Sequence, residues 1–213
     1  MTRTQRTGTI VSIALLVLAA AASAESLDLT YHPYRDRAYH DDYRGGSLEG
    51  RTMLRVHAGI SAPTGDFGDA MNTGFGLGVS LGYGLSHDVV LAWGVAYHRF
   101  DEEFVDGHVA ITPVTMSVDY GFSSRSKVRP WISGGLGLYH VNEETTEFNN
   151  GLGVLVTDSF SENDFGLNFG GGIATPISPR TSFGAGLKYH HIVGNDFPDS
   201  DFFALQAGLG FSL

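Results

Sequence analysis

The sequence predicts an all-β fold in which eight antiparallel strands run up and down and close into a barrel. Three observations predict it. Eight segments alternate large apolar residues with small ones at a period of two. Charged residues gather between these segments rather than within them. The connections are short and long in turn. A period of two marks an extended strand whose two faces meet different surroundings.

Strand 1 is "TMLRVHAGIS", with Leu54, Val56, Ala58 and Ile60 on one face. Strand 2, "GFGLGVSLGYGL", alternates Phe75, Leu77, Val79, Leu81, Tyr83 and Leu85 with Gly or Ser alone. Strand 3, "VVLAWGVAYHR", presents Val89, Leu91, Trp93, Val95 and Tyr97. Strand 4, "VAITPVTMSVDYGF", presents Val114, Met116, Val118, Tyr120 and Phe122. Strand 5, "RPWISGGLGLYHV", carries Ile132, Leu136 and Leu138, and strand 6, "DFGLNFGGGIAT", carries Phe165, Leu167, Phe169 and Ile173. Strand 7, "TSFGAGLKYHH", shows Phe183, Ala185, Leu187 and Tyr189. Strand 8, "FFALQAGLGFSL", shows Phe203, Leu205, Ala207, Leu209, Phe211 and Leu213. No segment after residue 24 has a helical period.

The short links are "SHD", "SSRSKV" and "PISPR"; the long ones are "APTGDFGDAMNTG", "FDEEFVDGH", "NEETTEFNNGLGVLVTDSFSEN" and "IVGNDFPDSD". In an up-and-down sheet, odd and even links lie at opposite ends. One end therefore has tight turns and the other long loops, the asymmetry of barrels in bacterial outer membranes.

The face opposite the apolar one decides between water and lipid. A soluble barrel would show water a face rich in Lys, Glu and Asp. Here that face carries Gly76, Gly78, Ser80, Thr115, Ser117, Asn168 and Gln206, and the strands hold only Arg55, Arg99, Asp119, Arg129, Asp164 and Lys188 as charges. Small residues suit the crowded inside of a narrow barrel. The apolar face then looks outward into hydrocarbon, where every backbone group must be paired and the sheet must close. The expectation is an eight-stranded antiparallel up-and-down transmembrane β-barrel. Phe75 and Tyr83 are eight residues apart, as are Phe203 and Phe211, which spans roughly 20 Å along the membrane normal. That spacing predicts two aromatic girdles. Phe75, Tyr97, Tyr189 and Phe203 mark the outer one; Tyr83, Tyr120, Phe122, Phe183 and Phe211 mark the inner one.

The ends and totals fit export. Residues 1–24 combine Arg3 and Arg6, the apolar run "VSIALLVLAAAA" and the small-residue site "ASA", the pattern of a cleaved signal peptide. Residues 25–50 read as a mobile periplasmic leader, and residues 51–213 as the barrel. Without Arg3 and Arg6 the chain keeps 11 basic against 23 acidic residues, a formal net charge of −12. So acidic a chain is a poor partner for nucleic acid. It has no Cys, so disulfides, thiolate metal sites and Cys nucleophiles are excluded.

The chain resembles the small outer-membrane barrel family, with its OmpA-like, OmpX-like and OmpW-like members. "PTGDFGD" before "GFGLGVSLGYGL" is similar to the family's first external loop and second strand. "VRPWISGGLGLYHV" and "DFGLNFGGGIATPISPRTSFGAGLKYHH" are similar to later strands. The resemblance covers about residues 52 to 213. It implies a place in the cell outer membrane with the N-terminus periplasmic, and assembly by the barrel insertion machinery, which reads the last strand. The family's terminal signal usually ends in Phe; this chain ends in Leu213, with Phe211 two before it.

Candidate chemistry is sparse. "GVSLG", Gly78 to Gly82, matches the Gly-x-Ser-x-Gly pattern, but Ser80 falls in mid-strand rather than on the sharp turn a nucleophile elbow needs. His190 and His191 are neighbours on a strand, point to opposite faces and cannot share one ion. "HDD", His40 to Asp42, reads as part of the leader rather than as a metal site. Parity assigns Arg55, His57, His98, Asp119, Lys188 and His190 to the lumen, as a buried polar plug with paired charges. No cofactor or metal is expected. The long loops hold fourteen Asp and Glu and no Lys or Arg, whereas Arg125, Lys127, Arg129 and Arg180 lie at the tight turns, where they could meet inner-leaflet phosphates. Expected partners are outer-membrane lipids and lipopolysaccharide, bridged by divalent cations, with the assembly machinery at the C-terminal strand. The functional expectation is a non-enzymatic barrel with a side-chain-filled lumen, acting in envelope integrity or surface interaction. The alternatives are a narrow conduit for small or hydrophobic solutes and a lipid A-modifying enzyme.

Overall fold

The structure, a computed structural model, describes residues 47–103, 106–122, 126–149, 154–193 and 200–213. The signal peptide expected over residues 1–24, and all but the last four residues of the leader expected over 25–50, lie outside the described residues. The strands are β1 (Thr52–Pro63), β2 (Gly74–Gly84), β3 (Val89–Asp101), β4 (Asp106–Gly121), β5 (Arg129–Asn149), β6 (Val154–Pro176), β7 (Thr181–Val193) and β8 (Phe202–Ser212). Each pairs antiparallel with the next, and β8 pairs with β1 from Met53↔Ser212 to Pro63↔Phe202, so the sheet is a closed barrel. Gly50, at φ 71°, turns the chain into β1, and its N–H donates to Gly84 O at 2.9 Å.

The alternating residues sort to two faces. Leu138 is 62% exposed, and Ile60, Leu77, Val118, Ile132, Phe169 and Leu205 are likewise exposed. The register runs one apolar row around much of the barrel: Leu209 beside Val56, then Val79, Val95, Val114, Leu138, Phe165 and Val193, each opposite the next. Branched and aromatic cross-strand pairs of this kind stabilise a sheet locally. The core lies inside the barrel, toward the long-loop end. Phe67, Met71, Phe100, Val109, Ile111, Tyr139, Val141, Ile192, Phe202 and Ala204 pack there in one buried cluster.

Two elements differ from the sequence expectation. The 142–163 stretch read as a loop is mostly strand: the β5–β6 ladder continues from Asn142↔Ser161 to Asn149↔Val154. Beyond the apolar row the alternation of apolar and small residues stops. The β-branched residues Thr145, Thr146, Val154, Val156 and Thr157 still favour extended backbone. The link between β1 and β2 contains a helix, α1 (Gly65–Ala70). Six residues are too few to show a helical period.

Candidate functional site in the barrel lumen

Three layers of inward side chains follow one another from the long-loop end to the tight-turn end. The first is aromatic. Phe67 of α1 meets Phe100 of β3 edge-on, with ring centroids 5.1 Å apart, and Phe100 meets Phe202 of β8 at 5.3 Å. Phe67, Phe100 and Phe202 are all buried. α1 is tied to the rim on two sides. Thr64 N–H and Oγ1–H both donate to Asp201 O, at 2.9 and 3.1 Å. Across the mouth, Asn72 N–H donates to Asp101 O and Glu103 N–H to Ala70 O.

The second layer is built on histidines. The His190 ring stacks on Phe202 at 4.6 Å and 7°, and His98 lies 4.8 Å from the same ring. The two imidazoles are 5.6 Å apart. His98 Nδ1 is hydrogen-bonded to Ser61 Oγ at 2.7 Å, and His190 Nδ1 to the Tyr139 hydroxyl at 2.9 Å. His57, Ser61, His98 and Gln206 bound a gap too narrow for water. Asn168, opposite His190 in the β6–β7 ladder, is wholly buried.

The third layer is ionic. Arg55 Nη1 forms an ion pair with Asp119 Oδ2 across the barrel. Asp119 Oδ1 also accepts from Ser133 Oγ at 2.7 Å and from Ser117 Oγ at 3.4 Å. Lys188 lies in electrostatic reach of Asp119, Arg55, His57, His98 and His190. Below, Arg129 Nη2 donates to Asp88 Oδ1 at 3.2 Å, so this guanidinium is held by a carboxylate of the neighbouring turn. Arg125 lies outside the described residues.

The bare inward positions accommodate these large groups. Glycine stands directly across a ladder from each of Arg55 (Gly210), His57 (Gly78 and Gly208), His98 (Gly76), Trp131 (Gly172) and Lys188 (Gly170). A Cβ on Gly186 would come within 2.6 Å of the Trp131 indole, and one on Gly166 within 2.6 Å of the Tyr139 ring. Tertiary packing therefore explains the small residues better than crowding in general.

The six polar residues picked out by parity thus fall into two groups: Arg55, Asp119 and Lys188 toward the tight turns, His57, His98 and His190 above them. The sequence reading set Asn168 on the inward face but missed Phe67, Phe100, Trp131, Tyr139 and Phe202. Parity alone carried a signal for the four on strands, since each stands on the side opposite an assigned apolar row. Phe67 had none, because it arrives on a six-residue helix. On the outer face, Phe75, Tyr83, Tyr120, Phe122, Phe183, Phe203 and Phe211 are exposed, whereas Tyr97 and Tyr189 are half-buried. Tyr120 and Phe122 meet edge-on at 5.0 Å. Tyr189 lies 4.9 Å from Phe203 and hydrogen-bonds the Asp201 carboxylate, whose Oδ1 also meets His191 Nδ1 at 2.8 Å. His190 and His191 therefore serve opposite faces. Ser80 sits within β2 between Arg55 and Gly94 in the ladders, where there is no turn to present a nucleophile. Among the described residues no cluster of three His, Asp or Glu could hold a metal ion.

The family described as Outer membrane protein beta-barrel domain matches residues 10–212. No curated protein sequence matches the chain. The solved structures that share the fold include three outer-membrane proteins. Neisserial surface protein A is 21% identical, with a TM-score of 0.58 over 76% of this chain and 97% of that one. The attachment invasion locus protein Ail of Yersinia pestis, in complex with the heparin analogue sucrose octasulfate, is 18% identical, with a TM-score of 0.51 over 78% and 99%. A major outer membrane protein from Thermus thermophilus is 14% identical, with a TM-score of 0.53 over 76% and 99%.

Proposed function

Because the chain belongs to the Outer membrane protein beta-barrel domain family, we propose that it is a non-enzymatic outer-membrane barrel whose lumen is filled by side chains. It serves envelope integrity or surface contact through its acidic loops. The observation that carries this reading is the continuous contact across the lumen, from Phe67 through Phe100 and Phe202 to His98 and His190. A column of rings in contact leaves little path for a hydrated solute.

The reading sets residues 25–50 and the tight turns in the periplasm and the long loops outside, after removal of residues 1–24 as a signal peptide. The two rows of aromatic rings lie at the membrane interfaces. The long-loop end carries Asp66, Asp69, Glu102 and Glu103 and, in the upper β5–β6 hairpin, Glu143 and Glu144, with no Lys or Arg in these links. Such a surface repels the phosphates of lipopolysaccharide unless divalent cations bridge them. The same charge disfavours a polyanion of the kind bound by Ail, so this chain's surface partners are cationic or cation-bridged. The final strand is the handle for the assembly machinery.

Planar-bilayer recordings of purified protein test the reading, with heat-modifiable gel migration confirming that the same sample is closed. A silent bilayer with heat-modifiable protein is the expected result. Discrete conductance steps would favour the conduit instead, with Phe67 and Met71 as the groups that move aside.

A further inference from the structure

We propose that a small monovalent inorganic anion, of the halide class, binds in the middle of the lumen between Lys188 and Asn168. Two independent observations point to it. Asn168 is 0% exposed, and neither its Nδ2 nor its Oδ1 makes a well-aligned hydrogen bond among the described residues; the Tyr139 hydroxyl is the one side-chain group it reaches there, and that hydroxyl is already engaged by His190. Lys188 makes no hydrogen bond and no ion pair among the described residues. The two lie on adjacent strands and the same face: Asn168 is opposite His190, and Lys188 is two residues from His190 and opposite Gly170.

The charges near Lys188 leave an excess. Arg55 and Lys188 are both cationic, and Asp119 is the carboxylate within their reach, already engaged by Arg55, Ser117 and Ser133. The next inward carboxylate on β6, Asp164, is six residues beyond Gly170, roughly 20 Å along the strand. His57, His98 and His190 add no negative charge. A carboxamide wholly withdrawn from water and an ammonium partly withdrawn from it are each costly without partners. One anion answers both, accepting from Lys188 Nζ–H and Asn168 Nδ2–H while cancelling the excess charge.

The way in is from the tight-turn end. The Arg55 side chain keeps 35% exposure. A Cβ on inward Gly184 would meet nothing closer than 3.6 Å, and one on Gly121 nothing closer than 3.9 Å. Space is therefore left locally at Gly184 and Gly121, beside the Trp131 indole, while the long-loop half is stacked with rings. Arg55 at the threshold favours anions over cations.

The test is an NMR titration of the wild-type protein in detergent micelles. Bromide or chloride is added to a halide-free gluconate buffer at fixed ionic strength, with sulfate as the control anion. The Asn168 side-chain amide and the Lys188 Nζ resonance are followed. Saturable, one-site shifts of both with halide, and none with sulfate, are expected. Lys188→Met should abolish the Asn168 shift, and Asn168→Leu should weaken halide binding several-fold. Shifts that stay linear in halide, an Asn168 shift that survives in Lys188→Met, or an Nζ signal of a neutral amine would each overturn the proposal. The last result would mean that Lys188 sheds its proton instead of recruiting a counter-ion. The wild-type titration decides the matter even if a variant fails to fold.

Discussion

Each large inward side chain and the glycine across from it form one unit. Trp131 can lie against the barrel wall only because Gly172 and Gly186 lack a Cβ, and the nearest approach to a Cβ on Gly186 would be 2.6 Å. Gly186→Val should therefore lower stability by about 1–3 kcal/mol through overpacking, measured by urea unfolding in micelles or vesicles. Trp131→Leu should recover part of that loss in the double variant, because the clash disappears with the indole. Strictly additive losses would show that the contact is unimportant. The ionic layer behaves differently. Asp119→Ala strands Arg55, and because that guanidinium remains partly open to water the cost should be about 1–3 kcal/mol. Replacing both members by Met and Leu should cost less than Asp119→Ala alone. At this scale the sequence was legible in parity and in the expectation of paired charges, but not in which partner each charge takes. It placed Arg55 and Asp119 on one face by alternation; the closed sheet fixes that these two meet across the lumen while Lys188 does not join them in an ion pair.

Among the elements, α1 and the upper β5–β6 hairpin make opposite contributions. α1 has little intrinsic stability as a six-residue helix; its position depends on Phe67 entering the ring stack and on Thr64 bonding Asp201. Phe67→Ala should cost about 3–5 kcal/mol if the site stays dry, and a shortfall is expected because a rim element can detach alone. Hydrogen exchange should then quicken at Met71, whose N–H bonds Phe67 O at 3.1 Å, while β2 and β3 amides stay protected. Faster exchange throughout the barrel would mean that the stack supports the whole sheet. The upper hairpin should be dispensable. Glu144 and Ser159 are opposite each other, so replacing residues 145–158 with Asn-Gly should preserve the register with a two-residue turn. The shortened chain should still show heat-modifiable migration; its loss would make the hairpin part of the folding unit. Neither element was legible, since α1 is shorter than two helical turns and the hairpin lacks a lipid-facing side.

At the scale of the whole molecule, the solvent writes the pattern. The strands were readable from Leu54 to Phe211 because hydrocarbon demands an apolar residue at every second position, and that demand ends where the membrane ends. The argument predicts a depth profile. Val56 is half exposed and sits between Val79 and Leu209 within the apolar row; Leu85 is equally exposed but lies beyond Tyr83, at the tight turn into β3. In a soluble protein two exposed positions would accept Arg about equally. In a bilayer, Val56→Arg should cost about 2–4 kcal/mol and Leu85→Arg about 0–1 kcal/mol. Reversible urea unfolding in lipid vesicles measures both. Equal costs would place the outer face in water and leave the apolar rows without a cause. A difference of about 2 kcal/mol or more would show that depth in lipid, and not exposure as such, selected the residues on that face.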